Sequence, residues 1–119
     1  MSAVADAPPE VVLHPGRRGR VAVVHLRGVE EPDPATAARA AEQALGLRPR
    51  WVVVDVSALA AREGAGRVVE AVRRRVQLAG VRIAVAGAHA PASEATTDTG
   101  GGYPTFPTVP IALGTLGAI

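Results

Sequence analysis

The residues best suited to chemistry lie in one stretch, WVVVDVSALAAREGAGRVVE, which spans residues 51 to 70. Asp55 and Ser57 end an apolar run, and Gly64, Ala65 and Gly66 stand where a loop should give way to a helix. The first N–H groups of a helix are unpaired and carry partial positive charge, so such a junction can hold a phosphate. The sequence therefore raises three possibilities: the junction binds a phosphate, carries one covalently, or contacts another protein.

Known nucleotide-binding motifs do not match this junction. The dinucleotide fingerprint G-x-G-x-x-G requires a third glycine, and Val69 occupies that position. The P-loop requires Gly-Lys-Ser or Gly-Lys-Thr, whereas all 13 basic residues of this chain are arginines. A lone G-x-G is weak evidence, so nucleotide binding is disfavoured and no cofactor is expected.

Catalytic and metal-binding constellations are equally hard to assemble from the sequence. Ser57 lies close to Asp55, but His14, His25 and His89 have no spacing that suggests a base for it. The same histidines are too scattered to predict a metal site, and cysteine is absent. Asp55 is interpreted as a structural residue that caps the following loop through backbone N–H groups. We therefore expect neither an enzyme nor a metal site.

Composition disfavours several classes of partner. The formal net charge is only +2, and no aromatic residue interrupts the basic run Arg73-Arg74-Arg75, so nucleic-acid binding is not expected. Asp55 interrupts the most apolar segment, and nothing approaches the roughly 20 apolar residues that span a bilayer. The first ten residues, MSAVADAPPE, lack the basic and apolar regions of a secretory signal. We expect a cytoplasmic protein without membrane insertion.

Hydropathy patterns predict the elements that position the junction. A loose tail over residues 1–9 precedes strands at 10–14 and 20–29, a helix over 34–46, a strand over 51–57, a helix over 64–79 and a strand over 81–88. Residues 90–104 are rich in glycine and are expected to be mostly irregular, with a short strand near 103–106 and a last helix within 109–119. The buried face of helix 34–46 should be mostly alanine with Leu45 and Leu47. Apolar residues in helix 64–79 form one stripe: Ala65, Val68, Val69, Val72, Val76 and Ala79.

The order of these elements predicts the fold class. Strands 10–14 and 20–29 should form a hairpin, whereas the strands on either side of helix 64–79 should be parallel with a right-handed crossover. We therefore predict a single α/β domain over residues 10–119, with the order β-β-α-β-α-β-(loop or β)-α. Its mixed sheet should have four to five strands, with helices mainly on one face.

Several short motifs resemble the STAS domain, the fold of bacterial anti-sigma factor antagonists. The motifs are Leu26-Arg27-Gly28 in the second strand, Asp55-Val56-Ser57 at a strand end, Gly66 at a helix start, Gly80 before the strand VRIAVAG, and FPTVPIAL near the C-terminus. Their order and spacing agree with the family over residues 10–119. The resemblance implies a STAS-like sandwich.

The chain departs from the family pattern at its regulatory residues. The family opens its helix with Asp-Ser-Ser-Gly, and these positions fall on Glu63, Gly64, Ala65 and Gly66. Ala65 thus replaces the second serine, which is phosphorylated in regulated members. The helix that follows the family's fourth strand should fall near residues 90–100, where this chain has a glycine-rich sequence.

The resemblance implies a partner and a surface. In the family, the unphosphorylated domain binds an anti-sigma factor that is itself a serine kinase, so this chain should be a non-enzymatic module without that phosphorylation switch. Its partner would be such a protein or another STAS-containing assembly. The contact surface, here named the docking tip, comprises Ser57, Arg62, Glu63, Gly64, Ala65, Gly66 and Arg67.

Two alternatives stay open. The first is a degenerate STAS module that regulates another assembly, such as a stress-signalling scaffold or a transporter. The second is a small-ligand or nucleotide-binding domain that uses the turn from Gly64 to Gly66.

Overall fold

The computed structural model describes residues 10–28, 34–59, 62–87 and 103–117. Its elements in chain order are β1 (Glu10–His14), β2 (Val21–Gly28), α1 (Pro34–Gly46), β3 (Trp51–Leu59), α2 (Arg62–Leu78), β4 (Arg82–Ala86), β5 (Thr105–Phe106) and α3 (Val109–Thr115). This order agrees with the one predicted from hydropathy, including the short strand before the last helix. The predicted tail over residues 1–9 and the glycine-rich residues 90–102 lie outside the described ranges.

The described strands form one mixed sheet in the order β1-β2-β3-β4-β5. β1 pairs with β2 antiparallel, which confirms the hairpin. β2, β3, β4 and β5 all run parallel, which confirms the parallel strands on either side of α2. Because parallel strands share one carboxyl edge, the ends of β2, β3 and β4 meet where α2 begins.

Alternating side chains of the central strands build two apolar layers. Ala22, Val24, Val52, Val54 and Val56 pack with α1 and α2, whereas Val21, Val23, Val53, Ala84 and Ala86 pack with α3. Two of the three described helices thus cover one face of the sheet, and the short C-terminal helix covers the other. The continuous apolar run of β3 reflects this burial from both sides.

Small side chains form the buried face of α1. Ala37, Ala40, Ala41 and Ala44 are buried. The expectation that Leu47 joins them is wrong, because the helix ends at Gly46 and Leu47 is 37% exposed. The chain then turns at Arg48, whose φ of 55° lies in the left-handed region.

Helix α2 supplies most of the large apolar contacts from the helical layer. Val68, Val69, Val72 and Val76 are buried, as the stripe predicts, whereas Ala79 is exposed beyond the helix end. Gly80 adopts a φ of +75°, and the Val81 N–H donates to the Val76 carbonyl at 3.1 Å. This is the Schellman ending that glycine favours after a helix.

Helix α2 begins at Arg62, two residues before the predicted start at Gly64. Because glycine has low helix propensity, the local sequence around Gly64 and Gly66 predicts a loop. Packing of the valine stripe of α2 nevertheless stabilises the helix through these residues. None of the helices in the described ranges is long and apolar enough to cross a bilayer.

Candidate functional site

The candidate site lies at the carboxyl edge of the sheet, where β3 leads into α2. β3 ends at Leu59 and α2 begins at Arg62. Residues 62–65 form the first turn of α2, and Gly66 and Arg67 follow in the second turn. The structure describes the backbone here, whereas the side chains of Arg62, Glu63 and Ala65 lie outside the described part. The predicted docking tip therefore contains the helix start itself.

Gly66 and Arg67 are exposed on this helix start. A Cβ atom added at Gly66 would meet no heavy atom within 4 Å. The fold therefore does not require glycine at residue 66, because an alanine would fit without displacing a neighbour. A bare, open backbone at this point allows another molecule to approach α2 closely.

Ser57 lies in an irregular part of β3. His25 of β2 pairs with Asp55, but Arg27 pairs with Ala58, so β3 contains one more residue than β2 between these two pairs. Such a bulge disrupts the regular ladder and re-aims nearby side chains. Ser57 is exposed at this bulge.

Asp55 organises the polar groups at the bulge. Its Oδ1 accepts a hydrogen bond from the Ser57 N–H at 3.0 Å and another from the Ser57 hydroxyl at 2.6 Å. Its Oδ2 lies 2.6 Å from Nδ1 of His25. The bond from the Ser57 N–H is of the kind expected from Asp55 as a backbone-capping residue. The contact with His25 links these groups of β3 to the neighbouring strand β2.

The charge state of Asp55 follows from these contacts. Burial raises the pKa of its carboxyl, but the hydrogen bonds from Ser57 and the contact with His25 outweigh burial and hold the pKa below its usual value. Hydrogen bonds to a carboxylate favour the ionised form. Asp55 is therefore an anion at neutral pH, although it is only 8% exposed.

The bonding order differs from that of a serine hydrolase. In a Ser-His-Asp triad the imidazole lies between the hydroxyl and the carboxylate and removes the proton. Here the carboxylate of Asp55 lies between Ser57 and His25. A carboxylate with a lowered pKa is a weak base. The arrangement therefore orients the Ser57 hydroxyl and does not activate it.

Sequence reasoning missed the contact between His25 and Asp55. The register of the two strands could have predicted this contact. The parallel strands start as the pair Val21 and Trp51, and His25 and Asp55 are each the fifth residue of their strand, so they lie side by side. Of the other histidines, His14 lies in β1 and His89 falls outside the described ranges. Within those ranges, no group of three or more histidine, aspartate or glutamate residues could hold a metal ion.

Gly87 closes the site from the side of β4. Its φ is +139°, and an added Cβ would lie 2.9 Å from the Ser57 backbone nitrogen and 3.1 Å from Cγ2 of Val56. Its N–H donates to the Phe106 carbonyl at 2.9 Å, which ties β4 to β5. Only glycine allows β4 to approach the bulge this closely while keeping this backbone conformation.

The carboxyl edge therefore has two parts. One is the polar cluster formed by His25, Asp55, Ser57 and Gly87, and the other is the start of α2. No protein-family model matches the chain, and a search of curated proteins gives no significant match.

Proposed function

We propose that this chain is a non-enzymatic interaction module, similar to an anti-sigma factor antagonist, that binds a protein partner through the docking tip. The partner would be an anti-sigma factor or a related serine kinase-like regulator. The observation that carries the proposal is the start of α2 at Arg62, directly after β3. This start brings residues 62–67 and the exposed Ser57 to one edge of the sheet.

The chemistry of the docking tip supports contact rather than catalysis. The hydroxyl of Ser57 is engaged by Asp55, and Gly66 presents open backbone. The sequence places a methyl group at residue 65. Small neutral groups beside a helix start let a partner approach the first-turn N–H groups, which have no intrahelical acceptor.

The same residues argue against a phosphorylation switch. Ser57 carries the only hydroxyl among residues 57–66. It bonds to the Asp55 carboxylate, so a phosphate on Ser57 would place negative charge beside an existing anion. Ala65 cannot accept a phosphate. The module would therefore bind its partner constitutively.

A charge placed on the docking tip tests the proposal. A pull-down from the native cell identifies the partner, and calorimetry then compares the wild type with Ala65→Asp. We expect the variant to lose several-fold to a hundredfold in affinity, about 1–3 kcal/mol, because an unpaired charge enters the interface.

Ala35→Asp is the matched control for this charge. Ala35 is exposed in the first turn of α1, so the substitution adds the same charge at another helix start. We expect partner affinity to remain unchanged. Equal affinities for the wild type and Ala65→Asp, or an equal loss in both variants, would contradict docking at this tip.

Kinase treatment tests the missing switch separately. The wild type and Ala65→Ser are incubated with the cognate kinase and ATP, and the modified residue is located by mass spectrometry. We expect phosphate at residue 65 only in Ala65→Ser, because that variant restores the acceptor. Phosphate anywhere in residues 57–66 of the wild type would refute a module without regulation at this site.

A further inference from the structure

A cleft lined by three arginines lies at the amino edge of the sheet, opposite the docking tip. Arg18 belongs to the connection between β1 and β2, Arg50 precedes β3, and Arg82 is the first residue of β4. Trp51, Thr115 and Leu116 complete the lining of the cleft, whose volume is about 170 Å³. Cations from three separate segments of the chain therefore converge on one small space.

Packing holds two of these arginines in place. Nη1 of Arg50 donates to the Arg18 carbonyl at 3.0 Å. The stem of Arg50 packs on Gly19, where an added Cβ would lie 3.1 Å from the Arg50 Cβ, and the stem of Arg18 packs on Gly117, where the corresponding distance to Cδ is 3.2 Å. The glycines thus leave room for the arginine stems. Side chains held in this way lose less freedom when they bind a ligand.

Trp51 holds the third arginine. The guanidinium carbon of Arg82 lies 5.7 Å from the centroid of the Trp51 ring, in cation–π contact. Trp51 and Arg82 are also paired in the parallel register of β3 and β4. The ring therefore attracts the cation of Arg82 and forms part of the wall of the cleft.

The positive charge of the cleft is not balanced by the described acidic residues. The acidic side chains Glu70 and Glu42 form ion pairs with Arg73, Arg74 and Arg75, and Asp55 contacts His25. None of them involves Arg18, Arg50 or Arg82. Each guanidinium has five N–H donors, and of the three only Arg50 uses one in a hydrogen bond within the described part of the chain. Donors and charge are therefore available to an anion.

We propose that this cleft binds the phosphate group of a small molecule. Guanidinium groups match phosphate oxygens in charge and in bidentate geometry. The cleft volume of about 170 Å³ is many times the roughly 10–15 Å³ that one water molecule needs, so the cleft has room for a phosphate or diphosphate. An adjoining cleft of about 250 Å³ shares Trp51 and Arg82 and is lined further by Gln77, Val81, Ile83 and Pro104. This second space would take the organic part of the molecule.

Trp51 provides a direct measurement, because it is the only tryptophan in the chain. Diphosphate is titrated into the protein at low salt while Trp51 fluorescence is recorded, and calorimetry checks the affinity independently. The wild type should show saturable binding. The double variant Arg50→Gln with Arg82→Gln should bind about tenfold more weakly or worse, because two of the three cations are removed.

Arg39→Gln is the matched control, since Arg39 is exposed on α1 on the other face of the sheet. We expect its diphosphate affinity to stay within about twofold of the wild type. Circular dichroism and thermal unfolding establish that each variant is folded. An equal loss of affinity in Arg39→Gln, or full affinity in the folded double variant, would overturn the proposal.

Two further probes distinguish the source of the phosphate. Glycerol phosphate represents a soluble metabolite, and vesicles of phosphatidylcholine with phosphatidic acid represent a lipid headgroup. If one probe binds and its binding depends on Arg50 and Arg82, that probe represents the natural source of the phosphate. If diphosphate, glycerol phosphate and the vesicles all fail to show saturable binding, the proposed phosphate site is refuted.

The cleft does not depend on the proposed docking function. The arginine double variant should retain partner affinity, and Ala65→Asp should retain diphosphate affinity, so failure of one proposal is distinguishable from failure of the other.

Discussion

Nδ1 of His25 lies 2.6 Å from Oδ2 of Asp55, across the parallel pair formed by β2 and β3. The other carboxylate oxygen of Asp55 accepts both the backbone N–H and the hydroxyl of Ser57. One buried anion therefore links His25 of β2 to the bulge of β3. The polar cluster at the carboxyl edge of the sheet therefore depends on the charge of Asp55.

Removal of the Asp55 side chain should destabilise the domain. Asp55→Ala leaves the half-buried His25 imidazole and the N–H and hydroxyl of Ser57 without their partner, and we expect a loss of about 1–3 kcal/mol in the free energy of unfolding. Asp55→Asn keeps the shape and one acceptor oxygen, so its loss should be smaller. Urea unfolding at neutral pH measures both variants. Wild-type stability in Asp55→Ala would contradict the structural role assigned to this carboxylate.

Acid should remove the contribution of the Asp55 charge. Its folded-state pKa lies below the usual value, so the folded protein favours the ionised form more than the unfolded chain does. The resulting stability is present above the unfolded pKa of about 3.9 and is lost as the pH falls through the folded pKa. The stability difference between wild type and Asp55→Asn should therefore shrink below about pH 4 in urea titrations. A difference that grows in acid would give the opposite sign and exclude this linkage.

The fold could be predicted largely from local patterns. The apolar run of β3, the valine stripe of α2 and the stop at Gly80 are local signals that together predict a parallel strand–helix–strand unit. The start of α2 lies two residues before the predicted one, because Gly64 and Gly66 disfavour a helix locally while tertiary packing continues it. The position of Leu47 was missed because the helix ends one residue before it.

The candidate site was harder to predict, since its contacts join residues far apart in the sequence. His25 and Asp55 are 30 residues apart, and only the register of two parallel strands brings them together. The bulge at Ser57 and the close approach of Gly87 leave no periodic signal in the sequence. The arginine cleft likewise collects Arg18, Arg50 and Arg82 through the sheet topology rather than through spacing.

Gly66 should be replaceable without structural cost. It lies inside α2 with open space around its Cα atom, so Gly66→Ala should stabilise the protein by about 0.5–1 kcal/mol through helix propensity. Gly80→Ala is the matched comparison in the same segment and should be destabilising, because φ at Gly80 is +75°. Thermal and urea unfolding measure both. If the docking tip contacts a partner closely, Gly66→Ala should be more stable than the wild type but should bind the partner more weakly. A loss of stability in Gly66→Ala would mean that residue 66 is not an ordinary helical position.

Gly87→Ala should be among the most damaging small substitutions in the described part of the chain. The new methyl group would lie 2.9 Å from the Ser57 backbone nitrogen, and a φ of +139° is one that alanine rarely adopts. Because the backbone must move to relieve the contact, we expect a loss of about 2 kcal/mol or more in the free energy of unfolding.

Gly114→Ala is the matched control. It adds the same methyl group inside α3, where the group meets nothing within 4 Å, and should be neutral or stabilising. Urea unfolding gives the stabilities, and the backbone amide NMR shift of Ser57 should change in Gly87→Ala but not in Gly114→Ala. Equal stability of the two variants would show that the bulge tolerates movement of β4 and that Gly87 does not hold Ser57 in place.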